Sequence, residues 1–515
     1  GQGVYIEKKM IKKLISFFKK PLTLLLLILS ASAILRLATL EKLMVFTPDE
    51  SYILYFVQTL VKNFHILWIG VSALGFDFYM GPGWLYFLYP FVAISKNDPL
   101  VIGIISSVIG VITTYVVFWF GQKLYSTKVG LLSALFYGLS SLIVFYDQQP
   151  YPNAVPLTSL LIAISLYMSR KDKRWLYLFA FCYGAVFHLH LSLVLLIFAG
   201  IYWVLSKRLL ETKTFFVSFA IFLAVISPMI VFDFYHNASN ITAPLRVLKS
   251  MSEEGKTKVS AGQKLGSVGR ALSRVWYLDQ GKSNTDEILY PCNISLEAKT
   301  TGAKQPLVLF SIIVLLSFFS GKNFLKDKKK RLFFVLSLCF LAPYLLVSSI
   351  NSVEYYLLGF FPLFFIMSAK FVTSLIKPLS YSAFILIGLF LIHNIQTVFM
   401  ANSDYGLKTK RVLINKVMEV IGSSNYELKE EGGVCQGAAG WRYLYMSYAR
   451  IPVRSSEDNS FSWLWKENEI SKEKAKYSVV MEDKRALEQK HEGYIEKISE
   501  GGFNAYIYET QTYEN

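Results

Sequence analysis

The sequence predicts an α-helical polytopic membrane protein with a small α/β domain at its C-terminal end. Of 515 residues, 53% are hydrophobic and only 17% charged, with 40 Phe and 32 Tyr. A soluble chain cannot bury that much apolar side chain without exposing large patches, so lipid is the expected solvent for most of it. Apolar stretches of about 20 residues recur, each long enough to cross ~30 Å of hydrocarbon as a helix. Pro, Gly, Asn and charge separate them.

Residues 1–9, "GQGVYIEKK", carry no initiator Met and read as an added leader, with Met10 as the natural start. A basic run and an apolar run follow, then "SASA" at 30–33, which resembles a signal-peptide cleavage site. A further apolar turn follows those small residues, which favours an uncleaved first helix running to about Leu40. Eleven spans are expected, at about 21–40, 99–120, 129–146, 154–169, 174–189, 191–206, 214–234, 306–321, 331–350, 355–369 and 381–399.

Short loops set the orientation, because Lys and Arg are retained on the cytoplasmic side. One set of loops reads "EKKMIKKLISFFKK", "GQKLYSTK", "SRKDKR", "SKRLLETK" and "GKNFLKDKKKR". The alternate set, "YDQQPYPN", "HLHLS" and "NSVEYY", has no Lys or Arg at all. The N-terminus is therefore expected inside, and an odd number of spans puts the C-terminus outside. Three long segments then fall outside: about 41–98, about 235–304, and a tail from 400 to 515.

The tail carries 16 Lys/Arg against 18 Asp/Glu, so the +17 net charge resides in the membrane part. That basicity reads as topology and anionic headgroups and does not point to nucleic acid. Within the tail, "KTKRVLINKVMEVIGS" has helical spacing, while "YSVVME" and "FNAYIYE" read as strands, closed by Gly501 and Gly502. Cys292 and Cys435 fall in outer segments, where a disulfide is feasible, although two thiols do not establish one.

The stretch "FTPDESYILYF" at 46–56 sets Asp49 and Glu50 at the start of an amphipathic helix in the interface plane. Thr47 as N-cap, Pro48 at the first helical position and Glu50 at the third make a capping box, which accounts for Glu50. Downstream, Gln58 and Lys62 mark the polar side. Capping does not account for two carboxylates at a lipid–water boundary, where ionisable groups mark functional sites. A capped first turn would also hold an ionised Asp49 rigidly, as a general base requires.

Several further motifs keep the same order and side. Arg36 lies in the first helix, "YMGPGWLYFLYP" at 79–90 leads into the second span, and "YPNAVP" at 151–156 opens the fourth. "HLHLS" at 188–192 and "EYYLLGFFP" at 354–362 follow. Together these resemble the GT-C superfamily of membrane glycosyltransferases, more narrowly the relatives of protein O-mannosyltransferases and lipid A aminoarabinose transferases. The likeness covers roughly 40–400 and implies a GT-C transmembrane domain over 1–399, with an accessory extracytoplasmic domain over 400–515.

The resemblance implies an inverting transfer of a sugar from a polyprenyl-phosphate donor to a hydroxyl on a lipid, polysaccharide or protein acceptor. It also implies a bacterial or archaeal plasma membrane. Asp49 becomes the catalytic base and Glu50 its supporting partner. Arg36, His190, Tyr356, Glu354 and Arg246 become donor- or phosphate-binding candidates, with Asp77, Asp147 and Asn153 as further candidates. Each has a plainer alternative. Arg36 could snorkel to the interface, Asp147 could sit in a solvated turn, and Asn153 could cap the fourth helix. Tyr356 could join an aromatic belt, His188 could be a polar residue at the interface, and Arg246 could be ordinary charge on a solvated loop.

Where aminoarabinose transferases carry an acidic residue and a Lys before the proline, this chain has Met80 and Gly81. Asp77 lies three residues upstream as a substitute, and no tightly bound divalent metal is expected. A polyprenyl-lipid flippase or transporter is the rival class. It would place charged groups within the spans and interrupted helices in two related halves, whereas here the polar groups cluster on one side.

Overall fold

The structure is a computed structural model that describes residues 20–73, 78–150, 154–206, 212–243, 246, 261–278, 304–321, 324–346, 354–375, 380–431, 440–465, 470–471, 473–484 and 490–510. Asp77, Asn153, Cys292 and Cys435 lie outside the described residues.

Helix α1 (Pro21–Leu37) is followed by the short α2 (Leu40–Leu43) and by α3 (Pro48–Lys62). A two-residue pair, β1 (Ser72–Ala73) with β2 (Phe78–Tyr79), leads to α4 (Gly83–Ile94). The long α5 (Leu100–Leu124) is followed by α6 (Thr127–Leu139), α7 (Ser141–Gln148), α8 (Val155–Met168) and α9 (Trp175–Leu189). Next come α10 (Leu196–Ser206), α11 (Lys213–Tyr235), α12 (Ala261–Arg274) and α13 (Gln305–Phe319). Then α14 (Lys328–Leu346), α15 (Phe361–Leu375) and α16 (Ser380–Met400) complete the apolar part. The bundle packs α5 on α6, α9 on α11, and α6 on α15, with α1 against α5 and α6.

Within the described residues each expected span falls mainly on helix, but the count of eleven crossings is not established. Among the described residues three helices, at 100–124, 213–235 and 381–400, are long and apolar enough to cross a membrane, and a fourth if the bent pair α6–α7 is one span. The other apolar helices are shorter. At 1.5 Å per residue, a 15-residue helix such as α9 reaches only ~22 Å. The span expected at 129–146 is broken by a 60° bend. Side chains stabilise that break: Ser140 Oγ donates to the carbonyl of Val275 at 2.7 Å, and Ser141 N–H donates to Asn394 Oδ1 at 2.8 Å.

The tail follows as α17 (Leu407–Ile421), β3 (Tyr426–Glu431), α18 (Trp441–Tyr448), β4 (Arg454–Ser455) and α19 (Asp458–Phe461). Strands β5 (Tyr477–Asp483), β6 (Glu496–Glu500) and β7 (Phe503–Glu509) complete a five-stranded sheet ordered β4-β3-β5-β7-β6. The helix and two of these strands match the sequence expectation, and Gly501 at φ +51° makes the turn into β7.

The tail does not stand apart. Phe46, Tyr55 and Phe56 of the first long loop share one apolar core with Trp441, Tyr443 and Trp465. This corrects the polar face drawn for α3: Gln58 is buried, with its amide donating to Met446 of the tail. The polar spacing of α3 by itself predicts a solvent-facing side, and the tail covers it.

Candidate functional site

Thr47 is extended at φ −115°, ψ 176°, and caps α3 with its hydroxyl accepting from Asp49 N–H at 3.3 Å. Glu50 closes the box. Its carboxylate accepts the backbone N–H of Thr47 at 2.8 Å and also the Thr47 hydroxyl. Burial, and then the charge of Asp49, push the Glu50 carboxyl up to about 7 against those hydrogen bonds. The adjacent carboxylates are therefore unlike. Glu50 is buried and committed to the cap, while Asp49 stays open to solvent. Crowding by the surrounding protein nevertheless raises the Asp49 carboxyl above its ordinary value.

One turn beyond, Tyr52 stands close enough to Tyr79 to add to the effect of burial, which raises its phenol to about 12. This sets the 78–83 loop beside α3. That loop is pinned by His188, whose Nδ1 accepts from Gly83 N–H at 2.9 Å while Nε2 meets the Val225 carbonyl at 2.9 Å. A Cβ on Gly81 would overlap the imidazole ring, so the chain can pass there only as glycine. His188 is thus a brace between α9, α11 and the loop, a more specific role than that of a polar interface residue.

Arg36 neither snorkels nor faces an opening. It is wholly buried, donating from Nε and Nη2 to Asp147 Oδ2 at 2.9 and 2.7 Å and from Nη1 to Gly138 O at 2.7 Å. Ser32 Oγ takes a further bond from Nη1 at 2.6 Å. Asp147 is buried as well, so it is the partner of Arg36 and does not lie in a solvated turn. The adjacent Gln148 donates to the carbonyl of Arg36 at 2.9 Å and to Thr39 Oγ1 at 2.7 Å. Two residues past Asp147, Gln149 Oε1 accepts Val45 N–H at 3.0 Å. The end of α7 thus holds the chain leading into α3.

A second group gathers at Tyr146 of α7. Glu354 pairs with Arg274 of α12 at 3.0 Å and accepts from Tyr146 Oη at 3.1 Å. Burial raises its carboxyl, opposed by the charges of Arg274 and Arg270 and by the Tyr146 bond. Tyr356, two residues on, lies 6.1 Å from the ring of His190, centre to centre. His190 Nδ1 meets Ser192 Oγ at 2.7 Å, and burial pushes the imidazole down to about 4, so it is neutral near pH 7. The turn carrying Glu354 and Tyr356 therefore meets Arg274, Tyr146 and His190, all far from it in sequence. Arg246 does not join them. It is exposed and donates to Thr242 Oγ1 at 2.7 Å and Ser239 O at 2.9 Å in its own segment.

Sequence reasoning passed over Arg274 and Tyr146 as site residues. The available signal for Arg274 was the amphipathic spacing of "AGQKLGSVGRALSR", which buries Lys264 and Arg274 on α12. Among the described residues no three His, Cys, Asp or Glu side chains converge as metal ligands, and the His188 ring fills the space beside Gly81. The chemistry proposed below rests on the protein's own groups.

Comparisons with known proteins follow the same lines. Residues 80–232 match the family described as dolichyl-phosphate-mannose-protein mannosyltransferase. The crystal structure of ArnT from Cupriavidus metallidurans bound to undecaprenyl phosphate shares the fold with a TM-score of 0.56, at 7% identity over 94% of this chain and 97% of that one. The Archaeoglobus fulgidus oligosaccharyltransferase in complex with Zn and sulfate gives a TM-score of 0.50, at 11% identity over 89% of this chain and 68% of that one. No curated protein sequence matches the chain. The match over 80–232 and the two fold matches agree with the motif order read from the sequence, and the chain shares the fold of these two solved proteins.

Proposed function

We propose that the protein is an inverting glycosyltransferase that moves a sugar from a polyprenyl-phosphate donor to an acceptor hydroxyl at the outer face of the membrane. One observation carries this reading furthest: of two adjacent carboxylates on a capped first turn, Glu50 is buried in the cap and Asp49 remains open to solvent. In the proposed step Asp49 takes the acceptor's hydroxyl proton as that oxygen bonds to the anomeric carbon from the face opposite the phosphate. The bond from the anomeric carbon to the phosphate oxygen breaks, and its electron pair leaves with the lipid phosphate. Crowding around Asp49 makes it a stronger base than a free aspartate, and the proton affinity of Glu50 reduces the charge beside it.

A leaving lipid phosphate needs positive charge or hydrogen-bond donors in a site from which water is largely excluded. Arg274 of α12 pairs with Glu354, the charge of Arg270 acts on the same carboxylate, and Tyr356, two residues on, lies against His190. These groups support a phosphate position at α12 and the 354–357 turn, whereas Arg36 is held in a buried ion pair inside the bundle and Arg246 lies at an exposed edge. Of the two solved proteins named above, one was crystallised with undecaprenyl phosphate and the other with Zn and sulfate, which supports a lipid-phosphate donor for this fold.

The test is transfer from a panel of radiolabelled polyprenyl-phosphate sugars in proteoliposomes, comparing wild type with Asp49→Asn. Loss of turnover in Asp49→Asn with donor binding retained supports the assignment. Lipid translocation without sugar transfer by the wild type would overturn it in favour of a flippase.

A further inference from the structure

The C-terminal tail bears directly on the segment that carries Asp49, and a buried cation of the tail contacts it. Helix α17 turns Leu407, Leu413, Ile414, Val417 and Ile421 inward, and Lys410 lies on that same face, 0% exposed. Its ammonium donates to the carbonyl of Phe46 at 2.8 Å and lies 4.7 Å from the ring centre of Trp441 and 5.2 Å from that of Phe503. Phe46 is the residue immediately before the N-cap Thr47.

The neighbouring backbone is held to the same helix. Leu407 N–H donates to Met44 O at 2.7 Å, and Val45 forms an antiparallel bridge with Gly406. From the other side Gly440, at φ +69°, presses on this strand so closely that a Cβ there would lie 2.9 Å from the Phe46 ring and 3.0 Å from Ser51 Cβ. Phe46 also stacks on Tyr443, with ring centres 5.9 Å apart.

A buried ammonium is an expensive choice for stability alone, because an apolar side chain of similar volume would avoid its desolvation. What an apolar side chain cannot do is fix the direction of the Phe46 carbonyl, and with it the path into the capped turn of α3. We propose that Lys410 is a positioning residue for the transfer reaction: the tail clamps residues 44–51, and Lys410 sets the pose of Asp49. The inference rests on the assignment of Asp49 as base and gives the tail a part in chemistry beyond that of an attached domain.

The experiment compares wild type, Lys410→Met, Lys410→Arg and Asp49→Asn in proteoliposomes, with amide hydrogen exchange followed on the same samples. Lys410→Met fills the space without donating to Phe46. It should lower kcat at least tenfold, leave the donor KM within twofold, and speed exchange at 46–51 while the sheet strands of the tail stay protected. Lys410→Arg keeps a cation that can donate to Phe46 and lie on Trp441, and should recover a substantial part of kcat.

Unchanged kcat in Lys410→Met would overturn the inference. So would a loss of kcat accompanied by loss of protection across the whole tail, which is the mark of a merely structural residue. Full activity of Asp49→Asn would instead remove the base assignment, and unchanged exchange at 46–51 in Lys410→Met would then overturn the clamp as well.

Discussion

The buried pair of Arg36 and Asp147 separates a structural role from a catalytic one. Both side chains are almost fully buried, and the guanidinium reaches Asp147 through two hydrogen bonds at 2.9 and 2.7 Å. Asp147→Asn preserves shape but leaves a guanidinium without its counter-ion, and breaking such a pair on one side costs about 3–5 kcal/mol. Arg36→Met strands the carboxylate and should cost as much. The double variant Arg36→Met/Asp147→Leu removes both desolvation penalties, so its stability should return to within about 2 kcal/mol of wild type. Thermal unfolding in detergent of the wild type, both single variants and the double variant gives the comparison, with donor KM measured on each folded sample. The expected pattern is two strongly destabilised singles and a recovered double with an unchanged donor KM. A stable double variant whose donor KM rises tenfold would show that Arg36 touches the donor phosphate and refute the reasoning.

Other consequences can be measured in the same preparations. The Glu50 carboxyl is raised to about 7 from its ordinary 4.5, so its neutral form is the one the fold favours. Its contribution to stability is complete below about pH 4.5 and is lost as pH rises through 7. Glu50→Gln keeps the cap's acceptor and should flatten that slope in melting curves at pH 5 and pH 8, whereas Glu50→Ala should lose about 1 kcal/mol with the cap. Gly81→Ala drives a methyl group into the His188 ring and should destabilise by about 1–3 kcal/mol, read as a lowered melting temperature. Arg274→Gln should raise donor KM at least tenfold, while Arg246→Gln, at an exposed edge, should leave it within twofold. Equal effects of the two would remove α12 from the donor site.

The sequence by itself determined the class of the protein, the positions of its apolar helices and the capped start of α3. These follow from local rules: hydrophobic runs measured against a bilayer, and Thr47–Pro48–Glu50 as a helix start whose partners lie within three residues. The same locality exposed the α17 periodicity and the β5 and β7 runs. It did not disclose the 60° break at Ser140, because the groups that satisfy that break, Asn394 and the carbonyl of Val275, come from residues more than 130 positions away.

Only the tertiary structure decided which ionisable groups are structural and which remain available. Arg36 and Asp147 are 111 residues apart and look like two separate site candidates in sequence, yet they neutralise one another inside the bundle. Glu354 acquires meaning from Arg274 and Tyr146, and Gln58 changes from a polar face to a buried contact once the tail covers α3. Charge and hydrogen-bond partnership depend on distances of about 3 Å, and in this chain folding brings those partners together across hundreds of residues. Asp49 was legible as a candidate from its place beside the cap, but its difference from Glu50 became visible only when the fold buried one carboxylate and left the other open.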